Sequence, residues 1–163
     1  MKKLLSATLF LLVAFAANAQ GEFTIEGKLT GVEDGTVILL CRSEGRLMST
    51  FATDTLRNQT FHFQGQTIGN DSECLMLDVR DKGFPSTWLD VWVAPGAKVT
   101  IEGTDKLLRT WRVSSNVKEQ KFQTLYIDAI RDLKNQQQRL IVRINELMTN
   151  KPSTEAGMKA AID

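Results

Sequence analysis

A change in hydrophobic period near Asn116 divides this chain into two kinds of structure. From Phe23 to Val113 apolar residues recur at every second position in short segments, and turn chemistry interrupts them about every ten residues. A period of two places alternate side chains on opposite faces of a strand, and many short strands of this kind build an antiparallel sandwich or barrel. Beyond Asn116 the period becomes 3.6, that of an amphipathic helix. The sequence therefore predicts a mainly β fold: an antiparallel β-sandwich of about seven or eight strands over residues 20–115, followed by a long C-terminal α-helix over 116–150.

Individual segments carry the same grammar. Phe23, Ile25 and Leu29 alternate with Thr24, Glu26 and Lys28, and Glu33-Asp34-Gly35 turns the chain into Thr36 to Arg42. That run is nearly continuous in apolar character, which predicts a strand covered on both faces. Leu47 to Thr55 leads through Arg57-Asn58-Gln59 into Thr60 to Gln64, with Phe61 and Phe63 inward and His62 outward. Leu75, Leu77 and Val79 form another inward set, leaving Cys74 and Met76 on the opposite face. Asp81 to Pro85 reads as a loop, Leu89, Val91 and Val93 as the next strand, and Pro95-Gly96 as the turn into Val99 to Gly103. A last short strand is expected near Trp111 to Val113.

The helix is expected to start at Asn116, with Glu119 completing a capping box. Phe122, Tyr126, Ala129, Ile130, Leu133, Leu140, Ile144 and Leu147 then fall three or four apart on one stripe, and Asn150-Lys151-Pro152 ends it. At 1.5 Å per residue such a helix is roughly 50 Å long, more than the width of a small sandwich. Asn135 to Gln138 interrupts the stripe. The N-terminal half is therefore expected to pack on the sandwich and the second half, with Leu140, Ile144 and Leu147, to meet something else. The alternative is a helix folded wholly onto its own domain. Residues 151–163 read as the start of a further helix at Ser153-Thr154-Glu155, either fraying or leading into a further domain.

The first residues point to export. Met1-Lys2-Lys3 precedes an apolar run from Leu4 to Ala16 and then Ala17-Asn18-Ala19, the pattern of a secretory signal peptide cleaved between Ala19 and Gln20. An apolar run this short does not span a bilayer core, which needs about 20 helical residues, so no stable membrane anchor is expected after cleavage. Gln20 stands where a lipoprotein would carry its lipidated cysteine, and the expected location is the periplasm, in soluble form. Removal of residues 1–19 leaves 144 of the 163 and, with Lys2 and Lys3, takes the net charge from +1 to −1. A chain so balanced has no electrostatic claim on nucleic acid or anionic lipid.

Residues that carry chemistry are few. Cys41 and Cys74 stand 33 positions apart, outside any C-x-x-C pair, and form no thiol-rich zinc site. In an oxidising compartment they are the candidates for a structural disulfide; alternation does not clearly bring them to one face, and two buried inert thiols are the other reading. His62 is the single histidine, flanked by two inward phenylalanines, so it reads as a solvent-facing strand residue and not as a catalytic base or metal ligand. The acidic pairs Glu33-Asp34 and Asp78 with Asp81 sit at turns, where acids serve the backbone. Glycine-rich phosphate loops are missing from the sequence. No catalytic residue, metal or cofactor is expected. Trp88 and Trp92 alternate with Asp90 on the outer face of their strand; they form either a surface for a glycan or a protein partner, or a face covered by the long helix.

Three stretches together carry a resemblance: Phe23 to Gly31 with Asp34 to Val37, then Val93 to Gly103, then Val113-Ser114-Ser115 entering the helix. They resemble the uncharacterised β-rich domain that precedes a thioredoxin-like domain in exported bacterial proteins of the thiol-specific antioxidant and alkyl hydroperoxide reductase type, over about Phe23 to Leu140. The resemblance implies an accessory domain joined by a helical linker to a redox domain. It assigns no catalytic role here, because Cys41 and Cys74 match nothing in the redox motif. The functional expectation is a non-catalytic exported interaction domain whose helix meets a protein partner, a missing C-terminal domain of its own, or a second copy. The alternative is the front portion of a thioredoxin-like thiol-disulfide oxidoreductase, and a glycan-binding sandwich is a further one.

Overall fold

Strands form where the sequence alternates, and the buried face of each is its apolar set. In β1 (Glu22–Leu29) Phe23, Ile25 and Leu29 are buried, and in β4 (Thr60–Gln66) Phe61 and Phe63 are buried while His62 is exposed. The computed structural model describes residues 21–150, Arg46 excepted. The Ala19–Gln20 junction with its leader and the helix start at Ser153 lie outside the described residues. The remaining strands are β2 (Val37–Glu44), β3 (Leu47–Thr55), β5 (Glu73–Asp78), β6 (Trp88–Val93), β7 (Lys98–Gly103) and β8 (Arg112–Ser115). A 3-10 turn, Leu108–Thr110, precedes β8, and two helices follow, α1 (Lys118–Ala129) and α2 (Arg131–Asn150).

Two four-stranded sheets face each other, ordered β4-β1-β7-β8 and β3-β2-β5-β6. Every pairing is antiparallel except β1 with β7, which run parallel. Phe23, Ile25, Phe63, Val99 and Ile101 from one inner face meet Ile38, Leu40, Leu75, Leu77 and Val91 from the other in one apolar core. At roughly 25 cal/mol per Å² of apolar surface removed from water, this layer is the main source of stability. Gly27 sits opposite Phe61, where a Cβ would lie 1.9 Å from the ring; its missing side chain is the space the phenylalanine fills.

The turn between β3 and β4 needs a clamp, because Asn58 and Gln59 both adopt positive φ, 52° and 64°. Asp34 supplies it: its two carboxylate oxygens accept the backbone N–H groups of Asn58 and Gln59, each at 2.8 Å.

One strand departs from expectation. The run in β2 predicted cover on both faces, yet Val37 is 42 % exposed and Leu39 is half-buried, while Ile38 and Leu40 are fully buried. The register of β2 against β3 slips between Leu40 and Cys41. A bulge there places two consecutive residues in buried positions, so a run that reads as two-sided burial belongs to a strand with one core face and a local kink.

The helices correct the sequence reading more deeply. A single helix was expected over 116–150; Ile130, at φ −120° and ψ 15°, breaks it, its N–H reaching back only to the Ile127 carbonyl. The expected Asn116–Glu119 box does not form: Val117 is the N-cap residue, and its N–H is accepted by Ser115 Oγ at 3.1 Å. The apolar stripe does not pack on the sandwich in either half. Contact is made on the opposite face, by the buried Ile127 and a set of polar side chains. Gln120 Oε1 accepts the Trp92 N–H of edge strand β6 at 2.9 Å, and Thr124 Oγ1 donates to the Val113 carbonyl of edge strand β8 at 2.9 Å. Arg131 donates to the Thr110 carbonyl, Gln138 Oε1 accepts the Arg109 N–H at 2.9 Å, and Asn145 Nδ2 donates to Ser86 Oγ at 2.8 Å.

Thr124, Arg131, Gln138 and Asn145 are each seven residues apart, so they form one line along both helices. Edge strands present unpaired N–H and C=O groups that apolar side chains leave unsatisfied, and a buried unsatisfied group is costly. Gln120 and Gln138 are accordingly almost fully buried, and among the described residues no buried side-chain N or O lacks a partner.

Gln138→Ala should therefore destabilise the chain by about 1–3 kcal/mol, the cost of leaving a buried donor unpaired. Amide exchange across residues 131–150 should rise well before exchange in the sheets. An unchanged exchange pattern would show that the polar line is not what holds α2.

Candidate functional site

Because the polar line faces the sandwich, the stripe read from the sequence lies on the far side of both helices. Phe122, Leu125, Tyr126, Leu133, Leu140 and Ile144 are all more than half exposed, Leu133 at 67 % and Leu140 at 62 %. Ala129 is exposed and Ile130 and Leu147 are half-buried. Of the helix residues predicted as a partner surface, Leu140 and Ile144 are thus fully on it and Leu147 partly so. An apolar run of this extent on the surface is a candidate interaction site.

The second candidate surface is the outer face of the sheet β3-β2-β5-β6. The register pairs Cys74 with Trp92, Met76 with Asp90, and Asp78 with Trp88. Trp88 is 39 % exposed and its indole N–H donates to Asp90 Oδ1 at 2.9 Å; Gln123 Nε2 of α1 reaches the other Asp90 oxygen at 3.5 Å. Trp92 is half-buried and packs against the core. The two tryptophans therefore do not form one open platform. The helices reach this face at its β6 margin, through Gln123 at the Asp90 carboxylate and Gln120 at the Trp92 backbone.

The thiols share that face. Cys41 pairs with Met76, and Cys74 lies two residues before Met76 on β5, so both sulfurs belong to the outer side but one diagonal step apart. Diagonal neighbours stand about 7–8 Å apart, beyond ordinary disulfide reach. Both are free thiols, so the candidate disulfide is not formed. Burial pushes the Cys74 thiol up to about 12, with the Asp90 carboxylate adding to the rise. Burial raises Cys41 too, with Asp78 adding to it and a hydrogen bond to Thr50 and the charge of Arg80 opposing it. A thiol held protonated is a poor nucleophile and a poor metal ligand.

His62 points away from the core, and its backbone N–H donates to Asp54 Oδ2 at 2.7 Å. Among the described residues no group of three or more His, Cys, Asp or Glu side chains is placed to hold a metal ion, and no helix is long and apolar enough to cross a membrane. The sequence did not anticipate a groove of about 890 Å³ between the loop after β5 and the C-terminal part of α2. Arg80, Asp81, Phe84 and Trp88 line one side and Val142 and Glu146 the other. Positions some sixty residues apart meet there, a juxtaposition that local periodicity does not encode.

Compared with family models, with curated proteins and with solved structures, the chain finds no match.

Alkylation checks the thiol chemistry. With a pKa near 12, Cys74 has a thiolate fraction of about 10⁻⁴ at pH 8, against roughly 0.2 for an ordinary cysteine. Iodoacetamide at that pH should label it far more slowly than a free thiol, Asp90→Asn should speed the labelling several-fold, and Cys41 should stay unlabelled in both. Labelling of Cys74 at the free-cysteine rate would contradict this picture.

Proposed function

We propose that this chain is an exported, non-catalytic interaction domain of the periplasm, in which a β-sandwich presents the outward apolar face of a docked helix pair to a protein partner. One observation carries the reading: the helices dock through Ile127, Arg131 and Gln138 on the other side, so Leu133, Leu140 and Ile144 are not consumed by the fold. The leader of residues 1–19, with its Ala19–Gln20 junction, supports export. The raised thiols and the solvent-facing His62 supply no nucleophile or base in keeping with catalysis.

A second reading is supported by the three stretches that resemble the β-rich accessory domain of thioredoxin-like exported proteins. In it the chain is the front portion of a thiol-disulfide oxidoreductase, and the same apolar face seats the redox domain. The glycan reading rests on Trp88 alone, since Trp92 is half-buried against the core and the Trp88 indole N–H is already engaged.

Two measurements test the proposal. Expressed from its first methionine in a Gram-negative host, the chain should be recovered from the periplasm with its mass lowered by residues 1–19 and Gln20 as its first residue; full-length product confined to the cytoplasm would reject export. Leu133→Ser, Leu140→Ser and Ile144→Ser should each change unfolding stability by less than about 0.5 kcal/mol, as for surface sites, while together they lower the fluorescence of a bound hydrophobic dye. Unfolding by these substitutions would return the face to the fold and remove it from function.

A further inference from the structure

We infer that α2 is a hinged arm: it swings about Ile130 away from the sandwich and back, opening and closing the groove beneath its C-terminal part, while α1 stays in place. The two helices are docked differently, and the chain breaks between them.

Helix α1 is fastened by apolar burial as well as by polar contacts. Val117 at its N-terminus and Ile127 in its last turn are buried, and between them Gln120 and Thr124 bond the edges of both sheets. Releasing α1 would return that apolar surface to water. On α2, among the described residues, only Gln138 is buried. Its Oε1 accepts the Arg109 N–H at 2.9 Å and its Nε2 lies 3.4 Å from Thr110 Oγ1, which itself donates to Asn135 Oδ1. Further along, Asn145 Nδ2 donates to Ser86 Oγ in an exposed contact. When α2 lifts, water replaces each of these bonds on both partners, so no polar group is stranded and no buried apolar side chain of α2 is uncovered. Elements with few buried apolar contacts open at lower cost than the core, and moving segments are drawn from them.

The break supplies the pivot. Ile130 leaves helical geometry at φ −120° and ψ 15°, so a change in its dihedral angles redirects the whole of α2. One wall of the groove, the loop after β5, is fixed. Phe84 is buried with its ring edge-on to Trp111 at 6.3 Å, Lys106 Nζ donates to the Lys82 carbonyl at 3.3 Å, and Arg109 Nη1 donates to Thr87 Oγ1 at 3.2 Å. The opposite wall, with Val142, Asn145 and Glu146, belongs to α2. A groove of about 890 Å³ with one pinned wall and one wall on a hinged helix opens from the helix side, and the bond from Asn145 to Ser86 is the contact that spans it. The arm carries Leu133, Leu140 and Ile144 with it, while Phe122, Leu125 and Tyr126 remain on α1. The outward apolar face therefore has a fixed half and a moving half.

Spin-label distances test this. In the purified chain with Cys41→Ala and Cys74→Ala, one label goes on Glu102→Cys of β7 and the second on either Ile144→Cys of α2 or Lys121→Cys of α1, all exposed positions. The Ile144 pair should give two distance populations, the longer being the raised arm, and the Lys121 pair a single one. Asn145→Ala removes only the exposed contact, so the fold stays intact, and it should raise the ratio of longer to shorter distances about threefold. Gln138→Ala should raise it about tenfold, as for the loss of more than one bond. The Lys121 distance should not move in either variant. A single Ile144 distance that both substitutions leave unchanged would overturn the hinge. So would a Lys121 distance that lengthens together with it, since the two helices would then lift as one body. Either result leaves the interaction-domain reading in place, because the exposure of Leu133, Leu140 and Ile144 does not depend on the motion.

Discussion

Two open sheet edges govern this molecule. Strand β6 ends one sheet and β8 ends the other, and on the side where they lie together their backbone N–H and C=O groups have no further strand to meet. Gln120 and Thr124 close that side, one accepting from the backbone of β6 and the other donating to the backbone of β8. The same logic continues past the break at Ile130, where Arg131 and Gln138 satisfy the backbone of the 3-10 turn at Thr110 and Arg109. Once the polar residues are committed to the edges, helical geometry sends the apolar residues outward, because positions half a turn away cannot face the same neighbour. The exposed apolar face is thus the reverse side of an edge-protection device.

The same arrangement accounts for the quiet chemistry of the other face. Cys74 and Asp90 share the outer side of adjacent strands β5 and β6, and Asp90 is held there by the Trp88 indole and by Gln123 of α1. Burial keeps the thiol protonated, and a carboxylate fixed beside it adds to the effect. The helix that closes the edge therefore also holds in place the charge that helps silence the nearest sulfur.

Much of the sandwich was legible in the sequence, for a simple reason: where one face is buried and the other solvated, period two is written into the residues, as in Phe23 to Leu29 and Phe61 to Phe63. Strand order was not, since the parallel pairing of β1 with β7 joins residues some seventy positions apart. The bulge at Leu40 and Cys41 was read as two-sided burial because an extra residue mimics it in one dimension. The helix stripe was found correctly and its second half was expected to face away from the sandwich; its N-terminal half was assigned to the sandwich on the assumption that apolar residues face the nearest core, whereas Phe122 and Tyr126 are exposed. A signal against that assumption was present: Thr124, Arg131, Gln138 and Asn145 recur every seven residues opposite the stripe. A polar line so regular, on a helix beside a two-sheet sandwich, says which side meets backbone.

Beyond the burial of Ile127, the helices are held to the sandwich chiefly by hydrogen bonds. Each bond contributes a net of only about 0.5–1.5 kcal/mol, since water competes for both partners, and the entropy of ordering α1 and α2 opposes the sum. A partner that covers Leu133, Leu140 and Ile144 adds apolar burial that the isolated chain lacks, and it does so only when the helices already lie along the sandwich and present those residues together. Occupancy of the outer face and order of the inner face are therefore thermodynamically linked: whatever binds outside tightens the contacts at Gln120 and Gln138, and whatever loosens those contacts weakens binding outside by the same free energy.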